Sequence, residues 1–355
     1  MRIHRQFKLN GISLTYEGLY EVASSWVKEG KEFEVHAGDF LLDWLSPTTH
    51  VQVNTSGSTG QPKSISLRKE HMVNSALATG SFFKIKSGAR ALLCLSPSYI
   101  AGKMMLVRAM VLGLSLDVIE PSSHPLDDLL GNYDFAAMVP LQVQNGLTEL
   151  HHIKTLLIGG AAVSKELAAL LLKEKNSIFA TYGMTETITH IAVKKISGPI
   201  ASDTFEVLPE VSVSQDRRGC LVINAPKVCR ETIVTNDLVE LVDDTHFKWL
   251  GRYDNVINSG GIKLIPEQLE EKLSTVIKNR FFIAGIPDER LGEKMILVIE
   301  GMKDEEKQQL YQKIRDLKSL RKFEMPREII SSEQFKETPT GKIQRSKTLS
   351  TVLKS

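Results

Sequence analysis

The sequence contains few cysteines and little excess charge of either sign. Only Cys94, Cys220 and Cys229 occur among 355 residues, and their odd number and lack of metal-ligand spacing favour a reducing, cytoplasmic compartment. The 44 Lys and Arg residues nearly balance the 42 Asp and Glu residues, which leaves a formal net charge of +2. Because nucleic-acid-binding domains usually show a strong basic excess, we expect no nucleic-acid partner.

Long hydrophobic runs are also missing. The most apolar region, from Met104 to Ile119, is interrupted by Arg108 and Asp117, so we expect no membrane span. The segment 1–8 has no apolar core of signal-peptide length. A hydrophobic content of 42% and a length of 355 residues fit one large globular domain plus a smaller one. The sequence leaves open whether the chain forms a homo-oligomer.

A loop rich in hydroxyl groups and glycine follows the alternating segment 50–54. The loop consists of Thr55, Ser56, Gly57, Ser58, Thr59, Gly60, Gln61, Pro62 and Lys63. Glycines let the backbone approach a ligand, and hydroxyl and N–H groups donate to anionic oxygens, so the loop predicts a polyphosphate site. An ordinary surface loop is the alternative. A Walker loop is disfavoured because it has glycine directly before the lysine, where Pro62 offers no N–H.

Apolar runs alternate with helical patterns through the first two hundred residues. Buried strands are predicted at 91–95, 116–119, 135–139 and 155–158, and helices at 100–113 and 164–175, with Ser164 as a helix cap. This alternation predicts an α/β fold with a largely parallel, helix-flanked sheet and ligands at the carboxyl ends of its strands.

The pattern changes after residue 205. Short alternating strands between Phe205 and Leu250 predict a small antiparallel or β-barrel-like subdomain. Helices at 266–277 and 304–317 and strands at 280–286 and 295–300 predict a compact α+β unit. We therefore expect an N-terminal domain at 1–251 and a small, mobile C-terminal domain at 252–355.

Four segments together resemble one enzyme family. The loop at 55–63, the segment Thr181-Tyr-Gly-Met-Thr-Glu186, the segment running from Gly251 to Glu270, and Pro339-Thr-Gly-Lys-Ile-Gln-Arg345 occur in the order found in the adenylate-forming enzymes. These include acyl-CoA synthetases, luciferases and the adenylation domains of peptide synthetases. The resemblance runs from roughly Val51 to Arg345. Asn236, Leu264 and Leu269 depart from the commoner residues at their positions.

The resemblance implies roles for named residues. It implies that β- and γ-phosphates of ATP are held by Thr55, Ser56, Gly57, Ser58, Thr59, Gly60 and Lys63. It implies that the rest of the nucleotide is bound by Gly159, Gly160, Ala161, Thr181, Tyr182, Gly183, Asp237 and Arg252. Catalytic roles fall to Thr185 at the α-phosphate, Glu186 as a Mg²⁺ ligand, and Lys342 between carboxylate and α-phosphate. Asp254 would be the hinge, and Gly260 and Gly261 would line the CoA channel.

The expected acid pocket comprises Tyr99, Gly102, Lys103, Arg108 and Met184. The glycine and the arginine six residues later resemble the o-succinylbenzoate–CoA ligases of menaquinone biosynthesis, although Tyr99 stands where a histidine is common. Lys103 could meet a second carboxylate of the acid. The alternative is that Lys103 and Arg108 expose their charges from a packed helix.

The resemblance implies an AMP-forming acid–CoA ligase that uses ATP, Mg²⁺ and coenzyme A and acts through an acyl-adenylate. We expect o-succinylbenzoate as the acid, with another aryl or acyl acid as the alternative. A non-catalytic nucleotide-binding protein of the same fold is the rival from another class. A P-loop phosphotransferase is disfavoured by Pro62.

Overall fold

Strands and helices alternate in the first half of the chain, as the apolar runs predict. A computed structural model describes residues 3–54, 64–127, 129, 131–338 and 343–354. Its strands are β1 Lys8–Leu9, β2 Ile12–Ser13, β3 His50–Asn54, β4 Ser64–Arg68, β5 Arg90–Leu93, β6 Ser115–Val118, β7 Tyr133–Met138, β8 Ile153–Ile158, β9 Ser177–Gly183, β10 His190–Lys195, β11 Phe205–Val207, β12 Ser212–Gln215, β13 Cys220–Asn224, β14 Ile233–Leu241, β15 His246–Arg252, β16 Ile257–Ser259, β17 Ile262–Leu264, β18 Phe281–Asp288, β19 Gly292–Glu300 and β20 Glu328–Ser332. Its helices are α1 Tyr16–Glu29, α2 Glu32–Leu45, α3 Lys69–Phe82, α4 Ile100–Leu112, α5 Pro140–Asn145, α6 Lys165–Leu171, α7 Pro266–Leu273, α8 Asp304–Arg315 and α9 Arg345–Val352.

One large sheet organises the chain up to Arg252. Its strand order within the described residues is β12-β13-β14-β15-β11-β10-β9-β8-β7-β5-β6-β1-β2. The strands from β1 to β9 in this order pair in parallel, as the strand-helix alternation predicts. The strands from β10 onward pair antiparallel and extend the same sheet through the β9–β10 pair. The predicted antiparallel subdomain is therefore continuous with the parallel sheet, a connection that strand patterns alone do not reveal.

A second, five-stranded sheet begins after Arg252. Strands β17, β16, β19 and β18 pair antiparallel, and β20 pairs with β19 in parallel. Its core includes Leu269 and Leu273 of α7 and Ile314 of α8. We call the part up to Arg252 the main unit and the part from Ile257 onward the small unit. The short turn Tyr253–Asn255 lies between them, where the sequence predicts the domain boundary.

Two helices end four residues earlier than the sequence predicts. Helix α6 ends at Leu171, because the chain turns there to enter β9 and the carbonyl of Leu172 accepts from Gly198 N. The predicted cap is confirmed, since Ser164 Oγ accepts from Leu167 N at 3.1 Å. Helix α7 ends at Leu273 instead of 277, and β20 and α9 were not predicted. These boundaries depend on tertiary contacts that a periodicity cannot show.

No helix in the described ranges is long and apolar enough to cross a membrane.

A buried lysine joins helix α2 to helix α3. Lys69, at the start of α3, is only 4% exposed. Its Nζ donates to Asp43 O at 2.6 Å, to Ser46 O at 3.0 Å and to Thr48 Oγ1 at 3.1 Å. The carbonyls of Asp43 and Ser46 belong to the C-terminal end of α2, where an α-helix leaves carbonyls without intrahelical partners. The Lys69 ammonium therefore caps α2 and ties it to α3.

We expect Lys69→Met to lower the free energy of unfolding by about 2 kcal/mol, because Met keeps the side-chain volume but removes the charged donor that Asp43 O, Ser46 O and Thr48 Oγ1 share. Urea denaturation of the ligand-free chain measures the change. Lys86→Met, on an exposed lysine, is the matched control. Equal stability of the two variants would contradict the capping role.

Candidate active site

Two predicted nucleotide motifs meet at the ends of neighbouring strands. Strands β8 and β9 pair in parallel, so the turn after β8 and the end of β9 lie at one edge of the sheet. A Cβ on Gly159 would lie 2.7 Å from Thr181 Oγ1, and this hydroxyl donates to Ile158 O at 3.1 Å. Gly160 follows with φ +81°, a conformation that favours glycine. The structure therefore brings the Gly-Gly turn and the Thr181 segment together, and the exposed Ala161 continues the turn.

The segment after β9 forms a tight polar turn. Thr187 Oγ1 accepts from Met184 N at 3.1 Å and donates to Thr189 O at 2.8 Å, which closes the turn Thr185–Thr187. Ile188 follows with φ +68°, which is unfavourable for a β-branched residue and stores backbone strain beside the site. Sequence reasoning did not identify this strained position.

Glu186 in this turn is exposed, and a carboxylate oxygen is a suitable Mg²⁺ ligand. The described residues contain no group of three His, Cys, Asp or Glu that could hold a metal ion. The Glu186 carboxylate therefore fits Mg²⁺ only if phosphate oxygens and water supply the other ligands, which is usual for this ion.

Asp237, a predicted nucleotide-binding residue, accepts hydrogen bonds from three side chains. It is 7% exposed and accepts from Tyr182 Oη at 2.7 Å, Trp249 Nε1 at 3.1 Å and Arg252 at 3.3 Å. Burial and the Asp237 charge raise the pKa of Tyr182, so the phenol stays protonated and donates. The tyrosine ring packs edge-on against Phe205 and Phe247, with ring centroids 5.8 and 5.3 Å away. The structure thus joins the predicted Tyr182, Asp237 and Arg252, and adds Trp249.

The side chain of the predicted hinge residue, Asp254, accepts hydrogen bonds from two residues of the main unit. Asp254 accepts from Arg252 at 3.1 Å and from Asn236 Nδ2 at 3.2 Å. Asn236, which departs from the family pattern, therefore contacts the residue between the two units.

The predicted acid-pocket residues lie in different surroundings. Tyr99 occupies the N-cap position of α4 without a side-chain capping hydrogen bond and is 41% exposed. A Cβ on Gly102 would lie 2.4 Å from Ser96 O, so only glycine lets α4 approach that turn. Lys103 Nζ lies 5.7 Å from the Phe40 ring centroid, and burial lowers its pKa against the opposing effect of Asp43 and Asp39. Met184 is half-buried against the core.

Arg108 carries a buried charge. It is 3% exposed, so the alternative that it exposes its charge is wrong. Its Nε donates to Thr79 Oγ1 at 3.4 Å, and NH2 donates to Thr189 Oγ1 at 3.1 Å. Burial lowers the pKa of Arg108 to about 10, so the guanidinium remains a cation at neutral pH. Among the described residues it forms no ion pair with a carboxylate.

His190 shares this polar cluster and was missed by sequence reasoning. Its Nε2 lies 3.3 Å from Thr79 Oγ1, and Thr79 gives its single hydroxyl proton to Ser75 O at 2.9 Å. His190 Nε2 must therefore carry the hydrogen of the contact with Thr79. Burial and the Arg108 cation hold the pKa of His190 well below its usual value, so the ring is neutral. The only sequence signal was a run of polar residues, Thr189-His190, at the start of a buried strand.

A cavity of about 310 Å³ opens beside this cluster, with Ser75, Ala78 and His190 in its wall. The wall of this cavity therefore includes a hydroxyl group and a neutral imidazole, and the imidazole shares Thr79 with the buried Arg108.

The phosphate loop at 55–63 and Lys342 lie outside the described residues. Gly260 and Gly261 have φ +58° and +81°, and Gly260 lines a cavity of about 170 Å³ within the small unit.

Comparisons with known proteins identify the family. A family model described as AMP-binding enzyme matches residues 49–214. A solved acyl-CoA synthetase (AMP-forming)/AMP-acid ligase II-like protein from Dyadobacter fermentans is 37% identical, with a TM-score of 0.63, over 94% of this chain and 98% of its own. The chain belongs to the AMP-binding, adenylate-forming enzymes. The sequence-based expectations of this family and of an AMP-forming acid–CoA ligase are confirmed.

More distant relatives include enzymes named as o-succinylbenzoate–CoA ligases. A 2-succinylbenzoate–CoA ligase from Listeria monocytogenes is 24% identical over 87% of this chain and 71% of its own length. An O-succinylbenzoate coenzyme A synthetase from Bacillus subtilis, in complex with ATP and magnesium, has a TM-score of 0.70 and 19% identity over 84% of this chain and 69% of its own. The fold is therefore shared, and the expectation of ATP, Mg²⁺ and CoA is confirmed for the family. The chain spans 62 to 71% of the length of the first three curated relatives.

The neutral state of His190 predicts how stability depends on pH. The unfolded chain binds a proton at His190 near pH 6.5, whereas the folded chain does not, because its pKa is held well lower. The free energy of unfolding should therefore fall by up to about 1.4 kcal/mol per pH unit below about pH 6.5 because of this residue. Urea denaturation of wild type and His190→Asn between about pH 5 and 7.5 measures both slopes.

We expect His190→Asn to have the shallower slope, and the exposed His124→Asn to keep that of wild type. Parallel slopes for wild type and His190→Asn would rule out a buried neutral imidazole.

Proposed function

We propose that this chain is an ATP-dependent acid–CoA ligase whose preferred acid is o-succinylbenzoate, in the cytoplasm. The observation that carries the choice of acid is Arg108, a guanidinium 3% exposed with hydroxyl partners at 3.1 and 3.4 Å. The 2-succinylbenzoate–CoA ligases among the relatives support the same substrate.

A buried guanidinium is stable only when its charge is paired and its N–H groups are satisfied. Thr79 and Thr189 offer hydroxyl oxygens, which satisfy hydrogen bonds but carry no negative charge. o-Succinylbenzoate has two carboxylates, so one can be activated while the other meets the cation. A guanidinium binds a carboxylate through two parallel hydrogen bonds, which gives orientation as well as affinity. A monocarboxylic acid would leave Arg108 uncompensated.

The proposed reaction has two halves. A carboxylate oxygen of the acid bonds to the α-phosphorus of ATP and pyrophosphate leaves, so an acyl-adenylate forms. Thr185 donates to the α-phosphate, Lys342 stabilises the developing charge, and Asp237 and Arg252 position the ribose. Glu186 would hold Mg²⁺, which when bound would neutralise charge on the phosphates. The CoA thiolate then bonds to the acyl carbonyl carbon and AMP leaves, with CoA passing along Gly260 and Gly261.

Pyrophosphate release from ATP and Mg²⁺ with a panel of carboxylic acids tests the class and the acid. Release with o-succinylbenzoate, followed by CoA-dependent thioester formation, supports both. Release only with another aryl or acyl acid would overturn the choice of acid. Nucleotide binding without release for any acid of a broad panel would instead favour the non-catalytic rival.

Arg108→Lys tests the second-carboxylate site. We expect the KM for o-succinylbenzoate to rise about 10- to 100-fold, because the ammonium cannot form the two parallel hydrogen bonds. The KM for benzoate, which has no second carboxylate, should stay within about threefold. Steady-state kinetics with both acids measure this difference.

Arg315→Lys, on an exposed arginine of α8 outside the predicted pocket, is the matched control. An equal rise in KM for both acids in Arg108→Lys would count against the carboxylate contact.

Lys342→Ala tests the division between the two halves. We expect adenylation to fall by about 100-fold or more, because a preorganised cation is removed from the developing charge. Thioester formation from supplied acyl-adenylate should change little. Single-turnover pyrophosphate release and thioester formation measure the two halves separately, and an equal loss of both would contradict this role.

A further inference from the structure

Helix α7 of the small unit contacts the main unit through two acidic side chains. Glu267 and Glu271 are four residues apart, so both project from one face of the helix. Glu267 lies against Gly251, at the end of β15, and Glu271 Oε1 lies 3.1 Å from Lys165 Nζ at the start of α6. This face of α7 is therefore the contact surface between the units.

The Glu267 carboxylate packs directly against Gly251. A Cβ on Gly251 would lie 2.4 Å from Glu267 Oε2 and 2.6 Å from Ile265 Cγ2. Gly251 also has φ +155°. A side chain at this position would displace the Glu267 carboxylate, so β15 and α7 touch here through backbone and carboxylate.

Asn255 orients that carboxylate. Asn255 Nδ2 donates to Glu267 Oε1 at 2.5 Å. Asn255 follows Asp254, whereas Gly251 precedes it. A rotation of the small unit about Asp254 would therefore carry Asn255 and Glu267 together and separate Glu267 from Gly251. The Asn255 contact survives the rotation and the Gly251 contact does not.

The Gly251 contact is also easy to release. Glu267 Oε2 is buried without a hydrogen-bond partner in the described part of the chain, and an unsatisfied buried carboxylate oxygen is unfavourable. When rotation exposes this oxygen, water can solvate it. The gain in solvation free energy offsets part of the packing energy that is lost at Gly251. The Lys165–Glu271 pair adds little, because side-chain exposures of 47% and 62% leave it screened by solvent.

We propose that Glu267 is a positioning residue that holds the small unit in the present orientation and so sets the balance between the two half-reactions. This inference rests on the proposed function, since only a two-step ligase needs both orientations. A contact that is present in one orientation and lost in the other shifts their populations by its differential free energy.

The first test needs no substrate. Fluorescent labels on Leu170→Cys in α6 and Tyr311→Cys in α8, both exposed, report the distance between the units in a Cys229→Ser background. We expect Glu267→Ala and Asn255→Ala to shift or broaden the distance distribution in the same direction. Glu289→Ala, an exposed acid of the small unit, should match wild type. Unchanged distributions in Glu267→Ala and Asn255→Ala would overturn the proposal.

The second test compares the half-reactions. In Glu267→Ala we expect the ratio of pyrophosphate release to thioester formation from supplied acyl-adenylate to change by about fivefold or more, one rate falling while the other holds or rises. Glu267→Gln keeps the volume and an acceptor for Asn255, so it should stay within about twofold of the wild-type ratio.

Equal losses in both rates would indicate a structural defect only and would overturn the positioning role. If wild type catalyses neither half-reaction, the proposed function fails, and the label distances still decide whether Glu267 holds the orientation.

Discussion

The close pairing of β9 with β10 at Gly183 is the constraint on which the site depends. A Cβ on Gly183 would lie 2.1 Å from Thr189 O, so this pairing excludes any side chain. At this point the sheet changes from parallel to antiparallel pairing. The intervening turn carries Thr185 and Glu186, and the returning strand brings Thr189 to Arg108. One hairpin thus carries the expected phosphate contacts and brings the Thr189 hydroxyl to the buried cation of α4.

Buried polar groups define the surroundings of that hairpin. Asp237 is satisfied by a phenol, an indole and a guanidinium, whereas Arg108 is satisfied by hydroxyl groups among the described residues. A carboxylate with three donors is compensated within the fold, and a cation with neutral partners is suited to an anionic ligand. This difference in pairing separates a charge that is compensated within the fold from a charge that is suited to an anionic ligand.

In the described part of the chain, a short polar turn joins the two units, and α7 contacts β15 and α6. Asp254 is held by Asn236 and Arg252, and α7 rests on Gly251 and pairs with Lys165. These contacts are made mainly by polar side chains. A hinge of this kind can change state without disturbing either hydrophobic core.

The sequence by itself determined the family, the order of motifs and most strands of the parallel sheet, because apolar runs and glycine-rich turns are local signals. It identified Tyr182, Asp237 and Arg252 separately, but only the tertiary structure showed that they form one cluster with Trp249. It offered exposed and binding interpretations of Arg108, and burial excluded exposure. Only the fold showed that one polar cluster contains Ser75, Thr79 and His190, because α3 and β10 lie more than a hundred residues apart in the sequence. Burial and long-range pairing are properties of the packed chain, and no local pattern specifies them.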